Sequence, residues 1–266
     1  MKIFKKENLS NDNIITIFGL KFKFARRTKK TINNMLDSNE IYNLQTYDEE
    51  FYRGQALKSY QSATEILNLV KDIAPNIRSV VDVGCGVGTW LKSWLDINSN
   101  IEVKGFDCNK IDESFLYIPR EKIEIANLEN LKFENINKKF DLCHSLECAE
   151  HLYEKDAYFH IELLTQLSDI VLFSAAAPKQ TGTNHYNERE PKYWSDIFEK
   201  FGYLCYDPLR SKIWNNDKIS WWYRQNIMIY INSNKIDNLT LNKLFLGSPV
   251  TPNMYYHPNL LSMYVK

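Results

Sequence analysis

No stretch of this sequence approaches the ~20 consecutive apolar residues that a bilayer-spanning helix requires, so membrane insertion is not expected. A signal peptide is not expected either. The apolar run from Ile14 to Leu20, behind Lys2, Lys5 and Lys6, is short, is interrupted by Thr16, and continues into Lys21-Phe22-Lys23-Phe24 without a small-residue cleavage site. Net charge is also missing: 33 basic residues cancel 33 acidic ones, so no global field draws the chain to a polyanion or an acidic partner. The five cysteines (Cys85, Cys108, Cys143, Cys148, Cys205) are odd in number, have no CxxC spacing and mostly sit in apolar stretches. Reduced, buried thiols and a cytoplasmic address follow as expectations. Glycine and proline are scarce, at nine and eight residues, and there is no repeat or low-complexity tract. What is present is a 266-residue chain with 44% hydrophobic residues, enough to fill a substantial core.

Residues 1–46 read as a basic N-terminal extension, with Lys2, Lys5, Lys6, Lys21, Lys23, Arg26, Arg27, Lys29 and Lys30 concentrated in its first thirty positions. The alternation Ile15-Thr16-Ile17-Phe18 and Leu20-Lys21-Phe22-Lys23-Phe24 predicts a short strand or hairpin. A solvated arm that docks or swaps onto a neighbour is the simpler reading, ahead of a nucleic-acid or anionic-lipid contact. From Tyr47 the pattern changes. Gln61 to Val70 has helical spacing ending near Pro75, Ser79 to Val83 reads as a buried strand running into glycines, Thr89 to Leu95 is helical, and Ile101 to Phe106 is a strand. Strand, helix, strand at this spacing is the βαβ unit of a parallel sheet. The alternation continues through strands at 123–125, 140–146 and 170–174, helices at 157–167 and 193–201, and a last strand at 227–231. The expected fold is α/β: a Rossmann-like, doubly wound, mostly parallel sheet of about seven strands with helices on both faces. It occupies residues 47–235, and 236–266 form a tail packed on the domain or on a partner subunit.

A strand that ends in glycines and feeds a helix offers backbone N–H groups and a positive dipole end to a ligand, with no Cβ in the way. Here the turn is Asp82-Val83-Gly84-Cys85-Gly86-Val87-Gly88, with glycines at alternate positions rather than in the G-x-G-x-x-G order of nicotinamide and flavin sites. Asp107 ends the next strand nineteen positions after Gly88, where a carboxylate reaches ribose hydroxyls.

On these residues, Val81 to Trp90 resembles motif I of the class I S-adenosylmethionine-dependent methyltransferases, and Asp107 resembles their ribose-binding acid. Asn127 resembles the residue that caps the adenine amino group, where the family often has Asp. The resemblance implies a cofactor contact set of Asp82, Gly84, Cys85, Gly86, Gly88, Asp107, Asn127, Leu128 and Ser145. Phe140 to Leu152 resembles motif IV. With Leu172 to Pro178 and Thr183 to Glu188, it is similar to a bacterial group linked to surface-polysaccharide modification, over roughly Tyr47 to Ile231.

Glu147-x-x-Glu150-His151 also has a reading that needs no family. Residues at i, i+3 and i+4 share a helix face, so two carboxylates and an imidazole can converge on a divalent ion such as Mg²⁺ or Mn²⁺. A capped first helical turn with His151 merely packed is the alternative. Ubiquinone-pathway O-methyltransferases and small-RNA 2′-O-methyltransferases carry a similar Glu-x-x-Glu-His that binds a divalent ion, and the RNA enzymes add a later histidine. This resemblance implies Glu147, Glu150, His151 and His185 as metal ligands, with His151 or His185 as general base should no metal bind. His144, His160 and His257 read as packing residues, whereas Arg224 or Gln225 is expected near the substrate or the metal ligands.

The function implied is methyl transfer from S-adenosylmethionine to a sugar hydroxyl of a capsule- or lipopolysaccharide-type precursor, assisted by the ion. RNA ribose 2′-O-methylation is the alternative. A small sugar or sugar nucleotide is the expected partner, overall neutrality disfavours nucleic acid, and homo-oligomerisation stays open.

Overall fold

The computed structural model of the chain describes residues 4–9, 12–17, 20–25 and 49–265, and divides it into two compact units, Met1–Gln45 and Thr46–Lys266. In the first unit, β1 (Phe4–Leu9), β2 (Asp12–Ile17) and β3 (Leu20–Ala25) form an antiparallel meander, with Phe4 opposite Ile17 and Asp12 opposite Ala25. The expected hairpin covers β2 and β3, and β1 adds a third strand to it.

The second unit is built on one sheet. Its elements, in chain order, are α1 (Glu49–Ile73), β4 (Ser79–Val83), α2 (Thr89–Ile97), β5 (Glu102–Asp107), β6 (Ile123–Ile125), α3 (Phe133–Ile136) and β7 (Leu142–Leu146). They continue with α4 (Glu154–Leu167), β8 (Ile170–Ser174), α5 (Pro191–Lys200), β9 (Tyr203–Tyr206), α6 (Arg210–Ile213), α7 (Trp221–Asn226), β10 (Met228–Asn232), α8 (Lys243–Leu246) and α9 (Pro258–Ser262). Seven strands lie in the order β6-β5-β4-β7-β8-β10-β9. Only β10 runs antiparallel to its neighbours, so the sheet is mostly parallel, as expected. The four-residue strand β9, which the sequence reading missed, closes one edge, and the three-residue β6 closes the other. Short edges of this kind leave little backbone to template pairing with another chain.

Burial on both faces explains why the central strands read as continuous apolar runs instead of alternating ones. In β7 every side chain is buried: Leu142, His144 and Leu146 share the core with α1 and α2, whereas Cys143 packs in the core with α4 and α5. The helices contribute one stripe each. Ala63, Ile66, Leu67, Val70 and Ile73 of α1 are buried, as are Ala157, His160, Ile161, Leu164 and Leu167 of α4, spacings of three and four that keep them on one side. Beneath α5, the rings of Phe198 and Tyr230 stack at 3.8 Å, with Phe173 edge-on to Phe198 at 5.4 Å. Leu246 and Leu260, in the segment after β10, are also buried. No helix among the described residues is long and apolar enough to cross a membrane.

This order creates the place for a site. From β4 the chain steps to β5 on one side and later to β7 on the other, so loops leaving the carboxyl ends of β4 and β7 diverge and open a crevice between them.

The two packing histidines carry a pH dependence. His144 accepts a hydrogen bond on Nε2 from Trp94 Nε1 at 3.2 Å, and His160 Nε2 pairs with Ser145 Oγ at 2.9 Å. Burial pushes their pKa values down to about 3 and about 4. The unfolded chain then binds more protons below its own histidine pKa of ~6.5, so the stability these groups supply is full above that pH and falls as the pH drops towards 4. At pH 5 each is expected to cost about 2 kcal/mol relative to pH 7.5. Urea unfolding followed by circular dichroism at the two pH values measures this, and His160→Gln should remove that residue's share.

Candidate active site

Gly84, Gly86 and Gly88 adopt φ values of 91°, 53° and 82°, a left-handed region costly for residues with a Cβ. Their surroundings differ. A Cβ on Gly84 would lie 2.3 Å from Cys148 Sγ and one on Gly88 would lie 2.8 Å from Ile118, but one on Gly86 would meet nothing within 4 Å. Gly84 and Gly88 therefore permit close packing, whereas Gly86 borders open space at the mouth of the crevice. The turn hangs on β5: the amides of Gly84 and Cys85 donate to Phe106 O at 2.8 and 3.1 Å, and Gly86 N donates to Asp107 Oδ2 at 2.7 Å. Asp107 Oδ1 accepts from Asn109 N at 2.8 Å, so a backbone amide holds each carboxylate oxygen.

Burial raises the Asp107 pKa, against the pull of the Asn109 and Gly86 amides. Burial, and then the charge of Asp107, push the Asp82 carboxyl up to about 7. Cys85 and Leu128 are buried beside the turn, and Asn127 Oδ1 accepts from Glu129 N at 3.0 Å in a local turn. Ser145, expected at the cofactor, is fully buried, with its hydroxyl 2.9 Å from His160 Nε2.

The second half of the crevice is the exit of β7. Glu147 does not begin a helix. Its φ is 51°, and its amide donates to Ser174 O at 2.9 Å, holding it to the end of β8. The helical turn starts only at Ala149, as a 3₁₀ segment over Ala149–His151, so Glu147, Glu150 and His151 do not share one helix face as expected. A left-handed residue reverses the chain direction between the first carboxylate and the other two groups.

What the structure brings together is Glu150, His151 and His185: one oxygen or nitrogen of each lies within 4.8 Å of the others. The His151 and His185 rings meet edge-on at 4.9 Å between centroids. His151 Nδ1 is 3.2 Å from Asn184 O and His185 Nδ1 is 2.9 Å from Glu188 Oε1, which leaves the Nε2 atoms available as ligands. Glu150 is fully buried, and neither of its oxygens has a hydrogen-bond partner. Burial and then the charge of Glu147 drive its pKa well above the usual carboxylate range, only partly offset by the backbone of Glu150 and Ala176. Burial, and then His185, lower the pKa of His151. An orphaned buried carboxylate facing two imidazoles matches the donor set of a divalent cation.

The loop between β8 and α5 supplies the rest. Of the five non-glycine residues with positive φ among those described, three lie in this loop, Lys179, Thr181 and Asn184, and a fourth is Glu147 at the exit of β7. Such strain persists where the surroundings over-determine the backbone. Glu188 ties the loop together, since Oε2 accepts from Lys179 N at 2.9 Å while Oε1 holds His185. Gly182 lies directly under the ring, where a Cβ would come within 2.2 Å of His185 Nε2. Sequence reasoning missed Gly182, Glu188, Gln180 and Asn226. The last two donate to the Glu147 carboxylate, at 2.7 Å from Gln180 Nε2 and 3.1 Å from Asn226 Nδ2. The polar cluster before β10 was the available signal, but it pointed to the residues beside Asn226. Arg224 is instead tied to Trp214 O and Asp217, and Gln225 lies behind the network, donating to Asn226 Oδ1 at 3.0 Å.

No family model matches the chain, and no curated protein matches it by sequence. Solved structures do. An O-methyltransferase family protein from Burkholderia thailandensis superposes with a TM-score of 0.52 at 13% identity, over 77% of this chain and 68% of that one. The magnesium protoporphyrin IX methyltransferase of Synechocystis PCC 6803, solved with bound SAH, gives 0.46 at 16% identity over 77% and 94%. The methyltransferase domain of bacterial CtHen1-C gives 0.45 at 17% identity over 65% and 98%. At these identities the likeness is one of fold, and this chain has the Rossmann-like fold of S-adenosylmethionine-dependent methyltransferases.

Proposed function

We propose that the protein is an S-adenosylmethionine-dependent O-methyltransferase that methylates a sugar hydroxyl of a capsule- or lipopolysaccharide-type precursor with the help of a divalent ion. The observation that carries this reading is Glu150: a buried carboxylate without a partner, facing His151 and His185, at the crevice bordered by a glycine turn of methyltransferase type. An uncompensated charge there would cost several kcal/mol, and a cation removes that cost.

The residues divide the work between two halves. Gly86 leaves room for the cofactor, Asp107 holds the turn through the Gly86 amide and presents its carboxylate to ribose hydroxyls, and Leu128 supplies apolar surface beside the turn. S-adenosylmethionine, when bound, supplies a sulfonium methyl for in-line displacement by an oxygen nucleophile. On the other side Glu150, His151 and His185 would hold Mg²⁺ or Mn²⁺, whose chemistry there is to lower the pKa of a hydroxyl and to orient a vicinal pair of them. Asn184 and Glu188 fix which imidazole nitrogen is available, so the ligand geometry is set before anything binds. Three protein ligands leave coordination positions for two acceptor hydroxyls, which favours an acceptor with a vicinal diol. We propose further that residues 1–46 are an extension dispensable for chemistry, that 47–235 carry the site, and that 236–266 pack on that domain.

Calorimetry should show S-adenosylhomocysteine binding and no NAD binding, with Asp107→Ala weakening the former by roughly 1–3 kcal/mol through lost charge-assisted hydrogen bonds. NAD binding without any response to S-adenosylhomocysteine would remove the cofactor assignment. Chelation should abolish methyl transfer and Mn²⁺ or Mg²⁺ restore it, and His185→Ala should lower turnover by orders of magnitude with cofactor affinity nearly unchanged. Full activity in chelator would leave His151 or His185 as a plain general base. Deletion of residues 1–30 should leave turnover largely intact, and an inactive but folded truncation would assign the arm a place in the site.

A further inference from the structure

Glu147 stands three positions before Glu150 but outside the group formed by Glu150, His151 and His185. Its carboxylate enters a cradle of amides: Gln180 Nε2 donates to Oε2 at 2.7 Å, and Asn226 Nδ2 donates to Oε1 at 3.1 Å. The cradle is itself fixed. Asn226 Nδ2 also donates to Gln180 Oε1 at 2.8 Å, Ala177 N donates to the same oxygen at 3.2 Å, and Gln225 Oε1 accepts from His257 N at 2.8 Å. Gln180, Gln225 and Asn226 are all buried, whereas Glu147 keeps part of its surface open.

The two carboxylates are therefore built for different partners. Neither Glu150 oxygen has a hydrogen-bond partner of good geometry, so a negative charge there needs a proton or a cation to balance it. Glu147 is aimed by uncharged N–H groups that already compensate part of its charge: Oε2 accepts from Gln180 and, at 3.4 Å, from Asn226, whereas Oε1 accepts from Asn226 alone and can take a hydroxyl as well. The left-handed backbone at Glu147 takes it out of the helical turn that begins at Ala149.

We propose that Glu147 lies outside the ion's coordination sphere and anchors the acceptor, accepting a hydrogen bond from a hydroxyl of a polyhydroxylated, saccharide-type substrate. The inference rests on the methyl-transfer reading above and specifies the acceptor half of that site. A sugar ring also has an apolar C–H face. Tyr153 and Tyr186, two residues after His151 and one after His185, stack at 4.8 Å between centroids and remain 50% and 48% exposed, an aromatic surface of the kind sugars pack against. Tyr186 N donates to Glu150 O at 2.9 Å, which ties that surface to the ion cluster.

Mn²⁺ titration followed by electron paramagnetic resonance separates the two carboxylates. Glu147→Gln, nearly isosteric, should bind Mn²⁺ within about threefold of the wild-type affinity, whereas Glu150→Gln should lose about tenfold or more. Equal losses in the two variants would make Glu147 a ligand and overturn the proposal. In the second arm, methyl α-D-mannopyranoside, which carries a cis diol, is titrated by calorimetry into the full chain loaded with S-adenosylhomocysteine and Mn²⁺. Wild type should bind it, and Glu147→Gln should bind it about tenfold more weakly, as expected for one lost hydrogen bond to a charged group. Unchanged mannoside affinity in the variant, or none in the wild type, overturns the acceptor role. S-adenosylhomocysteine affinity, read in parallel, should be unaffected, and its absence from wild type would count against the methyltransferase reading instead.

Discussion

Glu150 is withdrawn from solvent with neither carboxylate oxygen hydrogen-bonded, and a negative charge in that position is stable only if a proton or a cation arrives to balance it. The surrounding chain is arranged around this constraint. Glu150 O accepts the amides of Tyr186 and Asn187 at 2.9 and 3.0 Å, which draws the loop after β8 over the carboxylate and carries His185 next to His151. A side chain at Gly182 would collide with the His185 imidazole, and Glu188 holds it from Nδ1. Removing the constraint would leave a strained loop with nothing to justify its strain.

The sheet supplies the platform for these contacts. Because β4 is followed by β5 on one side and β7 on the other, the glycine turn and the Glu147–His151 turn face one crevice from opposite walls. The walls pack closely where a Cβ on Gly84 would lie 2.3 Å from Cys148 Sγ. Under the proposed function, that close approach would set a cofactor on the turn beside an acceptor at the ion cluster, as an in-line transfer requires. Central strands buried on both faces hold the geometry, and the candidate ligands sit on the loops that leave them.

Periodicity was sufficient for the fold where the strands are long and buried. The runs at 79–83, 142–146 and 170–174 could be read directly, because a parallel strand covered on both faces has no polar side to confuse the pattern. β9 was not legible: four residues, Tyr203–Tyr206, carry too little periodicity to separate a strand from the end of a helix. What surrounds Ser145 was not legible either: its hydroxyl pairs with His160 of α4, fifteen positions on, a contact set by how that helix packs on β7.

The sequence by itself determined the α/β sheet, the glycine turn with its acid at the end of the following strand, and the candidate ion residues Glu150 and His151, because each depends on spacing within one element or one βαβ unit. Tertiary structure decided how those residues group. Glu-x-x-Glu-His states that three groups are near in the chain, but a single left-handed φ at Glu147 separates the first from the other two. What then receives Glu147 comes from Gln180 and Asn226, 33 and 79 positions away, and what joins Glu150 comes from a loop beyond the next strand. Contacts at such separations are set by sheet order and loop packing, and local spacing carries no record of either.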